Sequence, residues 1–210
     1  MSSNFDKKNN YIFSRIPNIL TISRILLIPI IITGLIGFRF GFDGLSNKTL
    51  IYFCLLYAFI SDFLDGYLAR RWKLESGFGV MIDPIADKLL VAGCLISYCI
   101  ISQGDMLVLI PAIMIIFRDI LVSGIREHAS NSGILMPPTK LAKWKTGVEF
   151  LAIIVLASFV ANYNFVAVGD LSEKLDFLTI TGSIGIISLW ISAVLSLWTG
   201  AIYFKHGIKR

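Results

Sequence analysis

Six long apolar stretches, separated by short polar segments, dominate the pattern along this chain of 210 residues. They cover approximately residues 19–38, 50–68, 80–101, 106–123, 147–160 (extendable to 163) and 178–204. Most come close to the roughly 20 residues that a helix needs to cross a bilayer, although the fourth and fifth are shorter. Their apolar residues are continuous, whereas a membrane β-barrel requires alternating apolar and polar positions. The pattern therefore predicts an all-α integral membrane protein built as a six-transmembrane-helix bundle.

The composition agrees with a membrane protein. Hydrophobic residues make up 56% of the chain and charged residues 16%, whereas soluble domains usually contain about 25% charged residues. The formal net charge of +5 would also suit a nucleic-acid-binding protein. However, the basic residues fall between the apolar stretches, and no soluble segment combines basic with aromatic residues. We therefore expect the lipid bilayer as a partner and no nucleic acid.

The Lys and Arg residues predict the orientation in the membrane. If the chain starts on the inside, only Arg39, Lys48 and Lys174 would lie on the outside. This asymmetry predicts that both ends of the chain are cytoplasmic. We expect a cytoplasmic or interfacial segment over residues 1–16, one six-helix domain over 17–205 and a cytoplasmic tail over 206–210.

Local spacing also predicts how some of the helices pack. The short turn around Gly104 should make the third and fourth helices an antiparallel pair. Small residues recur in the sixth stretch at near-helical spacing, which allows close helix packing inside the bundle or at a dimer seam. These small residues are Gly182, Gly185, Ser188, Ser192 and Ser196.

Four aspartates gather at one end of the second and third stretches. Asp62 and Asp65 are three residues apart, and Asp83 and Asp87 are four apart, so each pair shares a helix face. Two carboxylates about 4 Å apart repel by roughly 4 kcal/mol at an effective dielectric constant of about 20. Protonation or bound cations must relieve this repulsion. Mg²⁺ and Mn²⁺ prefer oxygen ligands, and two metal ions that share carboxylates suit phosphoryl chemistry. We therefore predict two such ions here.

Small and basic residues beside the aspartates suit a ligand that carries phosphate. Gly66 and Ala69 leave little bulk beside the first aspartate pair, and Gly79 opens the facing helix. Arg70 can form forked hydrogen bonds to phosphate oxygens. One alternative is a set of helix caps, loop charges and packing glycines at the membrane surface. Another is a cation or proton transporter, although its acidic groups would be spread through the membrane depth.

The complete pattern resembles a known family motif. Residues 62–87 read Asp-x-x-Asp-Gly-x-x-Ala-Arg, then eight residues, then Gly-x-x-x-Asp-x-x-x-Asp. Every position matches the defining motif of the CDP-alcohol phosphatidyltransferases. The resemblance implies a bundle of six transmembrane helices with a cytosol-facing active-site cavity, usually in a homodimer. It also implies that a CDP-linked lipid donates its phosphatidyl group to an alcohol and releases CMP.

The resemblance assigns roles to individual residues of this chain. Asp62, Asp65 and Asp83 resemble metal ligands, and Asp87, also near the metals, resembles the base that deprotonates the acceptor hydroxyl. Residues assigned to the CDP-lipid are Thr21, Gly66, Ala69, Arg70, Ser76 and Gly79. For Thr21, as for Arg24, capping of the first helix is the alternative interpretation.

Basic residues in the later stretches indicate which kind of acceptor alcohol the site would bind. Several cations beside a metal site would suit an anionic acceptor. Residues 118–127 and 143–146, with 17–24, resemble the phosphatidylglycerophosphate synthases of bacteria, which implies sn-glycerol 3-phosphate as acceptor and the cell membrane as location. The residues assigned to the acceptor are Arg118, Arg126, Lys140, Lys143 and Lys145. For Lys140 and Lys143 the positive-inside rule is an equal alternative, and inositol phosphate, serine or phosphatidylglycerol stay open as acceptors.

Two residues depart from the pattern of that bacterial group. Glu149 stands where glutamine is expected, and Ala142 stands where glycine is common. Glu149 follows Lys145 by four residues, so the two can pair across one helical turn. A carboxylate at this position can also lower the positive potential of the acceptor pocket.

Overall fold

Helices account for nearly all of the chain that the structure describes. The computed structural model describes residues 15–40, 48–72, 77–131, 140–163 and 171–208. The helices are α1 (Arg15–Phe40), α2 (Lys48–Trp72), α3 (Gly77–Ile101), α4 (Met106–Asn131), α5 (Lys140–Tyr163) and α6 (Leu171–Ile208). Within these ranges there is no strand, so the predicted all-α class is confirmed for the described residues.

Four of the helices contain a stretch long and apolar enough to cross a membrane. These stretches are Ile19–Gly37, Met81–Ile101, Met106–Ser130 and Ile180–Lys205. In α2 the apolar stretch is shorter, Leu50–Asp62, and no described stretch of α5 meets the same standard. Charged residues explain the difference, because α2 carries them in its second half and α5 in its first. A membrane protein is therefore supported by four of the six predicted stretches.

The helices pack as two groups of three. Helix α1 packs extensively on α2 and α3, while α6 packs extensively on α4 and α5. Contacts between α3 and α4, and smaller contacts of α5 with α1, α2 and α3, join the groups. Fully buried apolar side chains line the interior, among them Ile31, Leu55, Leu95, Ile153 and Leu189. The core thus runs continuously through both groups.

Large apolar side chains also cover the outside of the bundle. Leu26 is 68% exposed, Phe53 65%, Phe117 63% and Trp198 65%. Soluble monomers rarely expose continuous apolar patches above a few hundred Å², because water penalises such surfaces. Lipid tails remove that penalty. An apolar exterior around a packed core is therefore what a bilayer requires.

The connection between α3 and α4 is the tight turn that the sequence predicted. Gln103 and Gly104 have φ values of 55° and 78°, in the left-handed region that commonly ends a helix. The Gly104 amide donates to the Cys99 carbonyl at 2.9 Å, which is the 6→1 bond of a Schellman motif. Asp105 then caps α4 by accepting a hydrogen bond from the Leu107 amide at 2.9 Å. The chain therefore reverses direction within a single turn.

Small residues of α6 allow it to approach α5 closely. A Cβ at Gly182 would lie 2.9 Å from the Phe159 ring, and one at Gly185 would lie 2.8 Å from a Leu156 methyl. Such distances leave no room for a side chain without movement of the neighbour. The predicted close packing of the small residues is therefore confirmed, and it occurs inside the bundle.

Candidate active site

Helices α2 and α3, which both pack on α1, bring three of the motif aspartates together. Asp62 lies on α2, and Asp83 and Asp87 lie one turn apart on α3. Asp62 experiences the negative charge of Asp83, and Asp87 experiences that of Asp62. Because charges interact strongly only at short range in a screened medium, the three carboxylates occupy one region. We call Asp62, Asp83 and Asp87 the aspartate cluster.

Helix α1 supplies hydrogen-bond partners to the aspartate cluster. Nη1 of Arg24 donates to Oδ1 of Asp62 at 2.6 Å, and the Thr21 hydroxyl donates to Oδ1 of Asp83 at 2.8 Å. The Arg24 side chain is fully buried, whereas that of Asp62 is 31% exposed. Because α1 begins at Arg15, Thr21 and Arg24 lie in its interior, and the capping interpretation is wrong. A charged residue inside an apolar stretch was the signal that Arg24 needs an acidic partner.

Several predicted site residues lie in helices whose side chains are not described at those positions, and one lies outside the described residues. Asp65, Gly66, Ala69 and Arg70 belong to α2, but their side chains lie outside the described part of the chain. The same holds for Lys140 and Lys143 in α5. Ser76 lies outside the described residues altogether, whereas Gly79 is half-buried in the first turn of α3. The roles assigned to these residues stay predictions.

A polar cavity of about 210 Å³ lies beside the aspartate cluster, between α3, α4, α5 and α6. We call it the acceptor cavity. Asp87 lines it together with Arg118, Arg126 and Lys145. The structure thus places the residue predicted as base in one cavity with three of the five residues predicted to bind the acceptor. Further polar residues of its wall are Lys88, Asp119, Ser123, Thr146, Glu149 and Tyr203.

Four charged side chains form a network in the wall of the acceptor cavity. Nζ of Lys145 donates to both oxygens of Asp119, at 2.8 and 2.9 Å, and to Oε2 of Glu149 at 2.7 Å. Nη1 of Arg118 donates to Oδ1 of Asp119 at 2.7 Å. The Lys145 side chain is 4% exposed and that of Glu149 2%. The predicted pairing of Lys145 with Glu149 is confirmed, and the network balances two cations with two carboxylates.

Helix α6 holds Arg118 from the other side. Nη2 of Arg118 donates to the Thr199 hydroxyl oxygen at 2.7 Å. A Cβ at Gly200 would lie 2.9 Å from Cγ of Arg118, so the glycine leaves the space that this side chain occupies. Sequence reasoning missed both residues of α6. The only signal in the sequence was the series of small residues in the last apolar stretch. That series predicts close helix packing but does not show which residue packs against it.

The aspartate cluster suits a divalent cation in its chemistry and charge. It carries three carboxylates, and hard oxygen ligands of this kind are those that Mg²⁺ and Mn²⁺ prefer. Arg24 pairs with one of them, Asp62, which leaves an excess of negative charge among the described residues. Those residues alone do not place three acidic, histidine or cysteine side chains in a metal-binding arrangement. The side chain of Asp65, the fourth predicted ligand, lies outside the described residues.

Comparison with known proteins decides the family. Residues 14–198 match the sequence profile of the CDP-alcohol phosphatidyltransferases. This chain belongs to that family. The match includes all fifteen positions that the sequence assigned to the site, from Thr21 to Lys145. The aspartate cluster and most of the acceptor cavity therefore lie within the family domain, and the chain is a transferase of this kind.

Individual members of the family are similar to this chain over most of its length. A CDP-diacylglycerol–glycerol-3-phosphate 3-phosphatidyltransferase of Rickettsia felis is 37% identical over 90% of this chain and 93% of its own length. The protein of the same name from Cereibacter sphaeroides is 33% identical over 92% of this chain and 95% of its own length. A cardiolipin synthase (CMP-forming) of Oryza sativa is also 33% identical over 90% of this chain, but over 56% of its own length.

Proposed function

We propose that this chain transfers the phosphatidyl group of CDP-diacylglycerol to sn-glycerol 3-phosphate, giving phosphatidylglycerophosphate and CMP. The acceptor cavity carries the proposal, because Asp87 of the aspartate cluster lines it together with Arg118, Arg126 and Lys145. A carboxylate beside several cations suits a substrate with a hydroxyl to deprotonate and a phosphate to hold. The names of the Rickettsia felis and Cereibacter sphaeroides relatives support this acceptor.

The reaction requires one bond to form and one to break at phosphorus. The acceptor hydroxyl oxygen attacks the phosphorus atom that carries diacylglycerol. The bond from that phosphorus to the bridging pyrophosphate oxygen breaks, and its electron pair leaves with CMP. Asp87 takes the hydroxyl proton as general base. Because Asp87 shares a wall with the cations of the acceptor cavity, a substrate held there would have its hydroxyl near this base.

Divalent cations, Mg²⁺ or Mn²⁺, which the sequence predicts as a pair, belong to the same proposal. Asp62, Asp65, Asp83 and Asp87 would hold them, and the bound ions would neutralise the pyrophosphate and stabilise the leaving CMP. The hydrogen bonds from α1 fix Asp62 and Asp83 in place. The residues proposed to contact the CDP-lipid are Thr21, Gly66, Ala69, Arg70, Ser76 and Gly79.

The proposal includes the arrangement in the membrane. We place all six helices in the bilayer of a bacterial cell, with both chain ends and the acceptor cavity facing the cytoplasm, in a homodimer. The four apolar spans and the apolar exterior support the bilayer location. The distribution of Lys and Arg supports the orientation, and water-soluble glycerol 3-phosphate and CMP need access from the aqueous side. Cross-linking in membranes tests the homodimer, which rests on the family resemblance.

An acceptor panel tests the function directly. The purified full chain receives radiolabelled CDP-diacylglycerol, a divalent cation and one alcohol, and both the released CMP and the lipid product are measured. We expect phosphatidylglycerophosphate with glycerol 3-phosphate, and no CMP release after chelation of the cation. Cardiolipin formed from phosphatidylglycerol would favour the activity named for the Oryza sativa relative. CMP release with none of the alcohols would refute the proposal.

The substitution Asp87→Asn tests the assignment of the base. We expect it to preserve the fold and CDP-lipid binding and to lower turnover by about 10²–10⁴-fold, the usual contribution of general base catalysis. Asp105→Asn is the control, because Asp105 is an exposed acid at the turn between α3 and α4, away from the cavity. Near-normal turnover of Asp87→Asn would remove Asp87 from this role.

A further inference from the structure

The acceptor cavity contains four cationic side chains, and the structure divides them into two kinds. Arg118 and Lys145 are held by Asp119, with Glu149 as a second partner of Lys145. Lys88 and Arg126 also line the cavity, but neither forms an ion pair with a residue in the described part of the chain. Lys88 and Arg126 are available to a ligand, whereas Lys145 is fully engaged and Arg118 already donates to Asp119 and Thr199.

Lys145 has no donor left for a phosphate. An ammonium group has three N–H donors, and Lys145 has three carboxylate oxygens within 2.9 Å. Its side chain is 4% exposed, so a ligand would have to displace Asp119 or Glu149 to reach it. Because removing one partner from a buried ion pair is costly, such a displacement is unfavourable. Lys145 is therefore suited to hold the wall of the cavity in position.

Lys88 lies at the border between two spaces. It lines the acceptor cavity and also a mostly apolar groove of about 160 Å³ between α3 and α4. Val91 and Asp119 line both spaces as well, so the two share a wall. Lysine suits such a border, because its methylene groups can cover apolar surface while the ammonium stays in polar surroundings. The side chain is half-buried, which reduces screening of its charge by solvent.

We propose that Lys88, with Arg126, binds the phosphate group of the acceptor, and that Lys145 is a positioning residue. Asp119 and Glu149 balance the charges of Arg118 and Lys145. Lys88 and Arg126 consequently supply the positive charge that remains to attract a phosphate dianion and to offset its repulsion by Asp87. Because this role assumes an acceptor with a phosphate monoester, it rests on the proposed function.

The variant Lys88→Met tests the proposal in the full chain, reconstituted in phosphatidylcholine vesicles. We expect the KM for glycerol 3-phosphate to rise about tenfold, as loss of a charged hydrogen bond of about 1.4 kcal/mol predicts. The inhibition constant of inorganic phosphate, measured against glycerol 3-phosphate, should rise by a similar factor. The kcat and the KM for CDP-diacylglycerol should stay unchanged, and Lys88→Arg should restore acceptor binding. Lys205→Met is the matched control, because Lys205 is exposed on α6 and lines neither space.

Lys145→Met separates a positioning role from direct binding. We expect it to lower the thermal unfolding temperature in detergent and to reduce kcat, whereas Lys88→Met leaves the unfolding temperature unchanged. A selective rise in the acceptor KM of Lys145→Met, with unchanged unfolding, would overturn its positioning role.

Two results would remove Lys88 from the acceptor site. One is an unchanged acceptor KM and phosphate inhibition constant in Lys88→Met. The other is an increase confined to the KM for CDP-diacylglycerol, which would assign the ammonium to the lipid phosphate instead. Both require an active wild-type protein. A wild-type protein that makes no lipid from glycerol 3-phosphate would count against the proposed function itself.

Discussion

Asp119 connects both paired cations of the cavity wall, Arg118 and Lys145, so Asp119→Asn should destabilise the protein more than Glu149→Gln. Asp119 accepts hydrogen bonds from Arg118 and, through both oxygens, from Lys145. Glu149 pairs with Lys145 alone. Each substitution preserves side-chain shape and removes one negative charge. The difference between the two variants therefore measures how many charged contacts each carboxylate makes.

The burial of the partners sets the expected size of the two effects. Asp119→Asn leaves Arg118 and Lys145, which are 11% and 4% exposed, with one carboxylate between them. Breaking a buried ion pair in this way typically costs about 3–5 kcal/mol. In Glu149→Gln the amide oxygen can still accept from Lys145, so we expect a loss of about 1–2 kcal/mol. At about 2–4 °C per kcal/mol for this chain length, Tm should fall by about 6–20 °C and about 2–8 °C respectively.

Thermal unfolding in one detergent, followed by circular dichroism, measures these effects. Glu127→Gln is the matched control, because Glu127 is an exposed carboxylate on the same helix as Asp119, and a change within about 0.5 kcal/mol is expected there. A double variant, Asp119→Asn with Lys145→Met, should recover part of the loss because a cation leaves with the anion. Equal losses for Asp119→Asn and Glu149→Gln, or a larger one for Glu149→Gln, would refute this account of the network.

Two further substitutions test the contacts made by α6 and α1. Gly200→Ala should lower Tm, because its Cβ would lie 2.9 Å from Cγ of Arg118 and disturb the charged network. Gly124→Ala, where a Cβ meets open space, should not, and equal effects of the two would contradict the packing role. Thr21→Val removes the hydroxyl that donates to Asp83, so kcat/KM should fall about tenfold for a lost charged hydrogen bond. The divalent-ion concentration for half-maximal CMP release should also rise in Thr21→Val, and an unchanged value would show that this bond does not orient a metal ligand.

The helices and the aspartate pattern could be predicted because both depend on local spacing. Residues three or four apart share a helix face whatever surrounds them, so each pair of motif aspartates could be assigned to one face in advance. Helix ends were predicted less well. The fourth apolar stretch ends near residue 123, yet α4 continues to Asn131, because backbone hydrogen bonds persist where hydrophobicity stops. For the same reason the start of the first stretch did not mark the start of α1.

Contacts between distant helices could not be predicted from spacing. The periodicity of α4 shows that Arg118 and Asp119 interrupt an apolar face, but it does not show which helix lies opposite. Thr199 and Gly200 fill that role in the structure, and nothing in the sequence near Arg118 identifies them. Lys88 was overlooked for a related reason, since only its position between two spaces distinguishes it from an ordinary interfacial lysine.

The two halves of the site differ in their charge balance, and Asp87 lies between them. The network in the cavity wall balances two cations with two carboxylates, so it can persist without a ligand. The aspartate cluster has more carboxylates than its partner Arg24 neutralises among the described residues. Asp87 interacts with both halves, because it experiences the charges of Asp62 and Arg24 as well as those of Asp119 and Lys145.

This position of Asp87 should couple cation binding to acceptor binding. A divalent ion at the aspartate cluster would reduce the repulsion between its carboxylates and an acceptor phosphate, so each ligand should tighten the binding of the other. Coupling between sites is commonly about 1–3 kcal/mol, or roughly 5–150-fold in affinity. Calorimetric titration of glycerol 3-phosphate, with and without Mg²⁺ and in the absence of CDP-lipid, measures it. Equal affinities in the two titrations would show that the halves of the site bind their ligands independently.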